Sequence, residues 1–444
     1  MKIVHCLNHY MPDVLAGTEV YTHTLATLQE QTGHEVAVIT PHIEHDYPGQ
    51  IKPHYIYDGI KVYQFPETAN PTDRQVHYGK KKPEGLEHFV ALLQQLEPDV
   101  IHFHELNRSV GFTVEHVKLA RQSGAKVFFT MHLSSYSCNT NILIYNNELC
   151  DGIIRRNRCT ECSYKALFNI PSILAKPLSR LSLVSCNNGI TEKMPDGKLK
   201  TVLSVPAYIS RIKNNLDELV THVDQLISYS NWYKEILLKN GVPAYKITVV
   251  PAALVTSAKH EINKTFQPPG LPIKMVFVGR LQSTKGLHLI IEAMRSFSSN
   301  QVQMDIYGRP EETDYYKRCI HDTTEMDLIK WKGEIKREDV VECLSQYDIF
   351  CLASTFSEMS PLVIQEAFAA GIPVLASKVY GNIEQITHGK NGLLFEFDSS
   401  ESLKEQIQAL IENPILIREM KGSIVPPLNF NLVNESYLRI YASH

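Results

Sequence analysis

Apolar runs of strand length alternate with segments of helical period along the first half of the chain, and after a polar stretch the alternation begins again. The runs "KIVHCL", "EVAVIT", "DVIHFH", "KVFFTM", "DQLISYS" and "KITVVP" are separated by segments such as "EVYTHTLATLQEQ", in which Val20, Leu25 and Leu28 share one helical face. Strands that are apolar along most of their length need both faces covered, which helices between successive parallel strands provide. Residues 256–272, "TSAKHEINKTFQPPGLP", read as a linker, after which "KMVFVG", "VQMDIYG", "YDIFCLAS" and "PVLAS" repeat the pattern. At 444 residues the chain exceeds what one hydrophobic core serves. The expected fold class is α/β, with two tandem Rossmann-like domains facing a central cleft: 1–258, carrying an insertion at about 133–222, and 259–425. The insertion is expected because the alternation lapses between "KVFFTM" and "DQLISYS" for far longer than an ordinary connection.

The chain opens "MKIVHCLNHYMP", with neither the apolar core nor the cleavage site of a signal peptide, and no apolar run reaches the length of a membrane span. With Lys+Arg 44 against Asp+Glu 48, the net charge of −4 favours neither nucleic acid nor a strongly anionic surface as a bulk partner. A cytoplasmic protein with reduced thiols is therefore expected, and a disulfide framework is the least favoured use of its nine cysteines.

The stretch with most chemistry is "STFSEMSPLVIQEAFAAGIPVLAS", residues 354–377. Ser360 suits an N-cap, Pro361 the first helical position and Gly371 the C-terminal stop, so a helix is expected over roughly 361–370. Its unpaired N–H groups near Leu362 make a seat for phosphate oxygens, and Glu358 and Glu366 flank that seat. Carboxylates accept hydrogen bonds from hydroxyls, so a phosphate seat between two hydroxyl readers suits a nucleotide sugar. In "FVGRLQSTKGLHLIIEAM", Arg280 and Lys285 lie in the loop between a strand and a helix, where two cations can grip one diphosphate.

These motifs, with "GNIEQITHGKNGLLFEFDS", resemble those of the retaining glycosyltransferases of the GT-B fold, in the large family-four class, and the resemblance covers residues 274–398 nearly continuously. It implies that Arg280 and Lys285 bind the donor diphosphate, that Glu358 contacts the transferred sugar, that Glu366 holds the ribose, and that the "KGEI" loop, Gly333 to Ile335, frames the base. In the first half, "AGTEVYTHTLATLQEQ" is similar to the family's glycine loop and first helix, with Gly17 near the donor phosphates but Ala16 where a second glycine is usual. "FFTMHLSSYSC" places His132 where the family keeps an active-site histidine, followed by Leu133 rather than aspartate, and "VVPAALV" stands in place of a Pro-Asn-Gly motif. Residues 426–444 resemble the family's terminal helix, which crosses back onto the first domain; a helix packed on its own domain is the alternative, and Leu438 and Tyr441 give it an apolar face either way.

The resemblance implies sugar transfer from a nucleoside-diphosphate sugar to a glycan, lipid-linked or small-molecule hydroxyl acceptor. Retention is expected, by a front-face route that uses cationic side chains and no catalytic metal. Two other readings stand beside it: a non-catalytic nucleotide-sugar sensor with a metal or redox cysteine site, and a sugar-nucleotide epimerase or hydrolase on the same fold. "CNTNILIYNNELCDGIIRRNRCTEC" holds Cys138, Cys150, Cys159 and Cys162, the last pair a CxxC, whose spacing suits a structural zinc. Unliganded thiols are the plain alternative. Further along, "YKALFNIPSILAKPLSRLSLVS" mixes apolar residues with Lys165, Lys176 and Arg180, a composition that suits peripheral membrane contact, although Pro171 and Pro177 speak against a long helix there.

Overall fold

Alternate side chains of the second-half runs "IFCL", "VLAS" and "GLLF" feed two different cores, and that is why these runs are apolar along most of their length. In the computed structural model, which describes residues 1–12, 17–42, 54–66, 81–107, 111–254, 270–310 and 313–444, strand β11 is Ile273–Val278 (earlier strands are given below). Ile273, Met275 and Phe277 face one cluster and Val276 the other. Ala16 and most of the expected linker at 256–272 lie outside the described residues.

The chain divides into two compact units: residues 1–141, 151–251 and 430–444 form unit 1, and residues 142–150 and 252–429 form unit 2. Unit 1 is built on β1 (Lys2–Cys6), β2 (Glu35–His42), β3 (Tyr55–Tyr57), β4 (Ile60–Pro66), β5 (Val100–Phe103), β6 (Lys126–Met131), β9 (Gln225–Ser228) and β10 (Ile247–Val249). They form a sheet in the order β10-β9-β6-β5-β1-β2-β4-β3, parallel except for the β3–β4 pair. Asp58 and Gly59 join that pair with φ of 45° and 86°, the left-handed conformations that a two-residue hairpin loop requires. This Asp-Gly signal between "HYIY" and "IKVY" was open to sequence reasoning, which passed over it.

The region from 151 to 222 is helical, with helices Arg156–Phe168, Ser172–Asn187, Ile190–Lys193, Lys198–Leu203 and Val205–His222. Tyr164, Ala175, Val205, Ile209 and Ile212 give it a small core of its own. Contrary to the expectation from its prolines, the segment after Pro171 is a sixteen-residue helix with Pro177 inside it. The bond that Pro177 cannot donate would go to the carbonyl of Ile173, a residue 82% exposed, so water can replace it.

Residues 142–150 leave this region as a small hairpin, β7 (Ile144–Tyr145) against β8 (Glu148–Leu149), and belong to unit 2. Asn146 and Asn147 make its turn with positive φ, a conformation asparagine tolerates better than most residues. The sheet of unit 2 adds β12 (Val302–Tyr307), β13 (Ile329–Gly333), β14 (Ile349–Leu352), β15 (Val374–Ser377) and β16 (Gly392–Phe395). Its order is β13-β12-β11-β14-β15-β16, all parallel, so the chain reverses its direction of travel across the sheet between β11 and β14.

Candidate active site

Open parallel sheets bind ligands beyond the carboxyl ends of the strands at the point where strand order reverses, which in unit 2 is between β11 and β14. The two loops that leave those strands, 279–286 and 353–361, are tied together: the Thr355 N–H donates to the Thr284 carbonyl at 2.8 Å. Gly286 has φ +69°, and a Cβ there would lie 1.7 Å from the Ala353 carbonyl oxygen, so the close approach of the loops requires glycine.

These loops bring Lys285 and Glu358 together, 73 positions apart in sequence, with Nζ 2.5 Å from Oε1. Both side chains are largely buried, at 14% and 10% exposure. The Ser354 hydroxyl donates to the same carboxylate oxygen at 2.8 Å, and the Lys285 ammonium lies 5.2 Å from the centre of the Phe356 ring. Arg280 stands exposed in the first loop.

The expected helix runs Leu362–Ala369, but its cap differs from the expectation by one residue. Pro361, not Ser360, is the N-cap, with extended backbone and no side-chain cap bond. The first N–H groups of the helix are thus left without a capping side chain. Gly371 closes the helix with φ +73°, its N–H bonded to the Phe368 carbonyl. Glu366 is half-buried; burial pushes its carboxyl above the usual range, opposed by the Arg337 guanidinium. Ile335, two residues before Arg337, packs against the cluster that holds Ile364 and Ala367 of the same helix.

The hairpin adds a wall that sequence reasoning missed. The Ser357 N–H, next to Glu358, donates to the Ile142 carbonyl at 2.9 Å, and the Tyr380 hydroxyl donates to the Cys150 carbonyl at 3.1 Å.

In unit 1, Gly17 begins the helix Gly17–Gln31 and is exposed, with open space where a Cβ would stand. His132 follows β6 directly and is buried, its ring nitrogens bonded to His104 at 3.0 Å and to the Tyr229 hydroxyl at 2.8 Å. Burial pushes its imidazole down to about 3. Glu105, also missed in the sequence, sits just past β5: burial, and next the Glu19 carboxylate, raise its carboxyl to about 7. Only its place at a strand's carboxyl end could have signalled it. A cavity of about 1290 Å³ in unit 1 lies by Met1, Asp99, Val100 and Lys126, at the amino ends of the strands, where this architecture does not place its chemistry.

Cys138, Cys159 and Cys162 belong to unit 1 and Cys150 to unit 2. None of the nine cysteines forms a disulfide. Among the described residues, the ligating side chains whose atoms gather within 4.8 Å are His5, His102 and His104, and the unit 1 cysteines form no such group. The Cys138 sulfur instead lies 3.2 Å from the Thr140 hydroxyl, and the Cys159 sulfur accepts from the Arg155 N–H at 3.4 Å near the start of the helix Arg156–Phe168.

The fold and the switch-point site define an α/β protein of the GT-B type. Residues 259–423 match the family "Glycosyl transferases group 1" and residues 16–156 the family "Glycosyl transferase 4-like domain", so the chain carries a domain of each. Among curated relatives, it is 30% identical over 152 residues to the UDP-N-acetylglucosamine–peptide N-acetylglucosaminyltransferase GtfA subunit of Streptococcus gordonii, covering 34% of this chain and 29% of that one. It is 21% identical to the D-inositol 3-phosphate glycosyltransferase of an Arthrobacter species over 90% of this chain and 82% of that one. The chain spans about half or less of the length of the first curated relatives that it matches. Its fold is similar to that of HepE from Anabaena, solved in complex with UDP and glucose, with a TM-score of 0.61, 16% identity and full coverage of both chains.

Proposed function

We propose that the protein is a retaining glycosyltransferase that moves a sugar from a nucleoside-diphosphate sugar to a hydroxyl of a glycan, lipid-linked or small-molecule acceptor. The observation that carries this reading is the Lys285–Glu358 pair at the switch point, beside Arg280 and an uncapped helix start. A donor diphosphate competes with Glu358 for Lys285; its arrival releases the Glu358 carboxylate to accept from sugar hydroxyls. Glu366 takes the ribose hydroxyls and the backbone around Ile335 frames the base. Gly17 is the glycine assigned to the donor phosphates, with open space where a side chain would stand.

In the transfer step the bond from the anomeric carbon to the diphosphate oxygen breaks and a bond to the acceptor oxygen forms on the same face. The acceptor's proton passes to the departing phosphate oxygen. Negative charge grows on that leaving group, and Arg280, Lys285 and the N–H groups near Leu362 are the donors assigned to it, the kind of electrostatic stabilisation that contributes most to such rates. His132 is the histidine assigned to the active site by its place directly after β6.

The acceptor side adds a peripheral membrane contact. Ile173, Leu174, Leu181 and Val184 are exposed on one helix, with Leu167, Ile190 and Leu199 exposed on its neighbours. Residues 164–200 carry six basic side chains against two acidic ones, so the apolar face comes with a charge that suits an anionic lipid surface. No helix among the described residues is long and apolar enough to cross a membrane.

The test is the anomeric configuration of the product, read by proton NMR after incubation with nucleotide sugars and hydroxyl acceptors. Retained configuration is expected. An inverted product contradicts the front-face route, and release of free sugar without acceptor favours a hydrolase.

A further inference from the structure

Four histidines of unit 1 form a buried chain of hydrogen bonds that ends on His132. His5 of β1 pairs in register with His102 of β5, and His104 lies two residues on, just past the end of that strand. Gln29 Oε1 lies 2.8 Å from His5 Nε2, His5 Nδ1 lies 2.9 Å from His104 Nε2, and His104 Nδ1 lies 3.0 Å from His132 Nε2. The remaining His132 nitrogen, Nδ1, meets the Tyr229 hydroxyl at 2.8 Å, and the same hydroxyl lies 3.2 Å from Nε2. His102 forms a side branch, with Nδ1 at 2.6 Å from the Tyr441 hydroxyl and Nε2 at 2.8 Å from Thr130 Oγ1. His5, His102 and His104 are fully buried and His132 nearly so.

Every ring nitrogen of these four histidines has a partner, so the group that could in principle gather a metal ion is already saturated with hydrogen bonds. A neutral imidazole has one N–H and one lone pair, so in a row of them each link fixes the next. Hydroxyls at the Tyr229 end can donate or accept; a carboxamide oxygen can only accept. With its oxygen towards His5, Gln29 accepts from His5 Nε2–H, which leaves His5 Nδ1 as an acceptor. His104 must then donate from Nε2, and His132 in turn from its own Nε2.

We propose that Gln29, acting through His5 and His104, is a positioning residue that sets His132 in the Nε2–H tautomer and so makes its Nδ1 a hydrogen-bond acceptor. Burial lowers the imidazole of His5 to about 4 and those of His102 and His104 well below the ordinary value, which keeps the row neutral at physiological pH. An acceptor at Nδ1 holds the Tyr229 hydroxyl as a donor, and a substrate hydroxyl that displaces Tyr229 must arrive proton first. This consequence for the substrate rests on the transferase reading; the tautomer does not.

Nitrogen-15 NMR of the histidine side chains in the full chain, with assignment by single His→Gln variants, reads the tautomer without any substrate. The wild type is expected to show His132 Nε2 as the protonated nitrogen and Nδ1 as the bare one. Gln29→Leu is expected to give a mixture of the two forms and about a fivefold fall in kcat/KM, and Gln29→Glu, which keeps an acceptor there, to restore the single tautomer. A wild-type His132 protonated at Nδ1 overturns the proposal, as does a Gln29→Leu protein of unchanged circular dichroism in which His132 keeps one tautomer. Zinc titrated into the wild type is expected to leave these resonances in place; stoichiometric binding that moves His5, His102 and His104 together overturns it in favour of a metal site. An unchanged tautomer pattern in a protein that never transfers sugar would leave the relay standing and remove only the transferase reading.

Discussion

Lys285 and Glu358 are each held by the other, and that makes the pair separable by experiment into a structural part and a donor-binding part. Removing one partner of a largely buried ion pair leaves the other charge without compensation, whereas replacing both with apolar side chains removes the cost. Lys285→Met and Glu358→Leu are each expected to destabilise unit 2 by about 2–3 kcal/mol, and the double substitution by less than either. All three are expected to lose transfer activity. Chemical denaturation of the four proteins checks this, and a double variant that loses the sum of both singles contradicts it. The buried histidines make a second prediction. His5 and His132 are lowered from 6.5 to about 4 and about 3, and His102 and His104 are lowered as well, so the unfolded chain binds protons that the folded one refuses. Their contribution is complete above pH 6.5 and is lost as the pH falls towards the folded values, at about 1.4 kcal/mol per pH unit for each histidine. Melting temperatures measured from pH 7.5 to 5 are expected to fall steeply below pH 6.5, and a flat profile would show the imidazoles to be accessible. At this scale the sequence was legible where a motif is local. The pairing of Lys285 with Glu358 and the row from Gln29 to His132 join residues far apart in the chain, and no spacing rule reports them. The signal for the row was nonetheless present, in two strands that carry histidine near the carboxyl end and a third that histidine directly follows.

Elements were legible in proportion to how strongly burial dictates their pattern. Strands β14 and β15, which line both cores, follow the apolar runs closely because every side chain on them is buried. The helix at 362–369 was legible from Pro361 and Gly371, and the one-residue difference at its start arises because proline's fixed φ lets it end the extended segment as well as begin a helix. The hairpin at 142–150 was not legible, because two-residue strands carry no periodicity and its anchorage to the loop before Glu358 is through backbone groups. The helix Ser172–Asn187 defeated a proline rule, since the missing bond falls where water is at hand. Its exposed apolar face makes the third prediction. Flotation with vesicles of phosphatidylcholine containing phosphatidylglycerol is expected to carry the wild type, and Ile173→Ser with Leu181→Ser is expected to reduce the bound fraction several-fold. A wild type that stays at the bottom of the gradient with anionic vesicles rules the contact out.

For the whole molecule, two Rossmann-like units were expected and two compact units are found, each with its own parallel sheet and core. The order β13-β12-β11-β14-β15-β16 fixes where chemistry can occur in unit 2, and the conspicuous residues of the sequence, Arg280, Lys285, Glu358 and Glu366, lie on the loops and helix at that place. The cysteines were equally conspicuous, but CxxC spacing on a helix records neighbouring positions and says nothing of where Cys138 goes. The donor's base and sugar were not legible, since backbone around Ile335 rather than a base-specific side chain is expected to frame the base. The most direct test of the account is a calorimetric titration of UDP and GDP into the wild type and into the Lys285→Met and Glu366→Ala variants. At least one nucleoside diphosphate is predicted to bind the wild type at a single site and to bind each variant at least tenfold more weakly. If neither binds the wild type, or if binding is untouched by both substitutions, the site is not at the reversal of the strand order in unit 2.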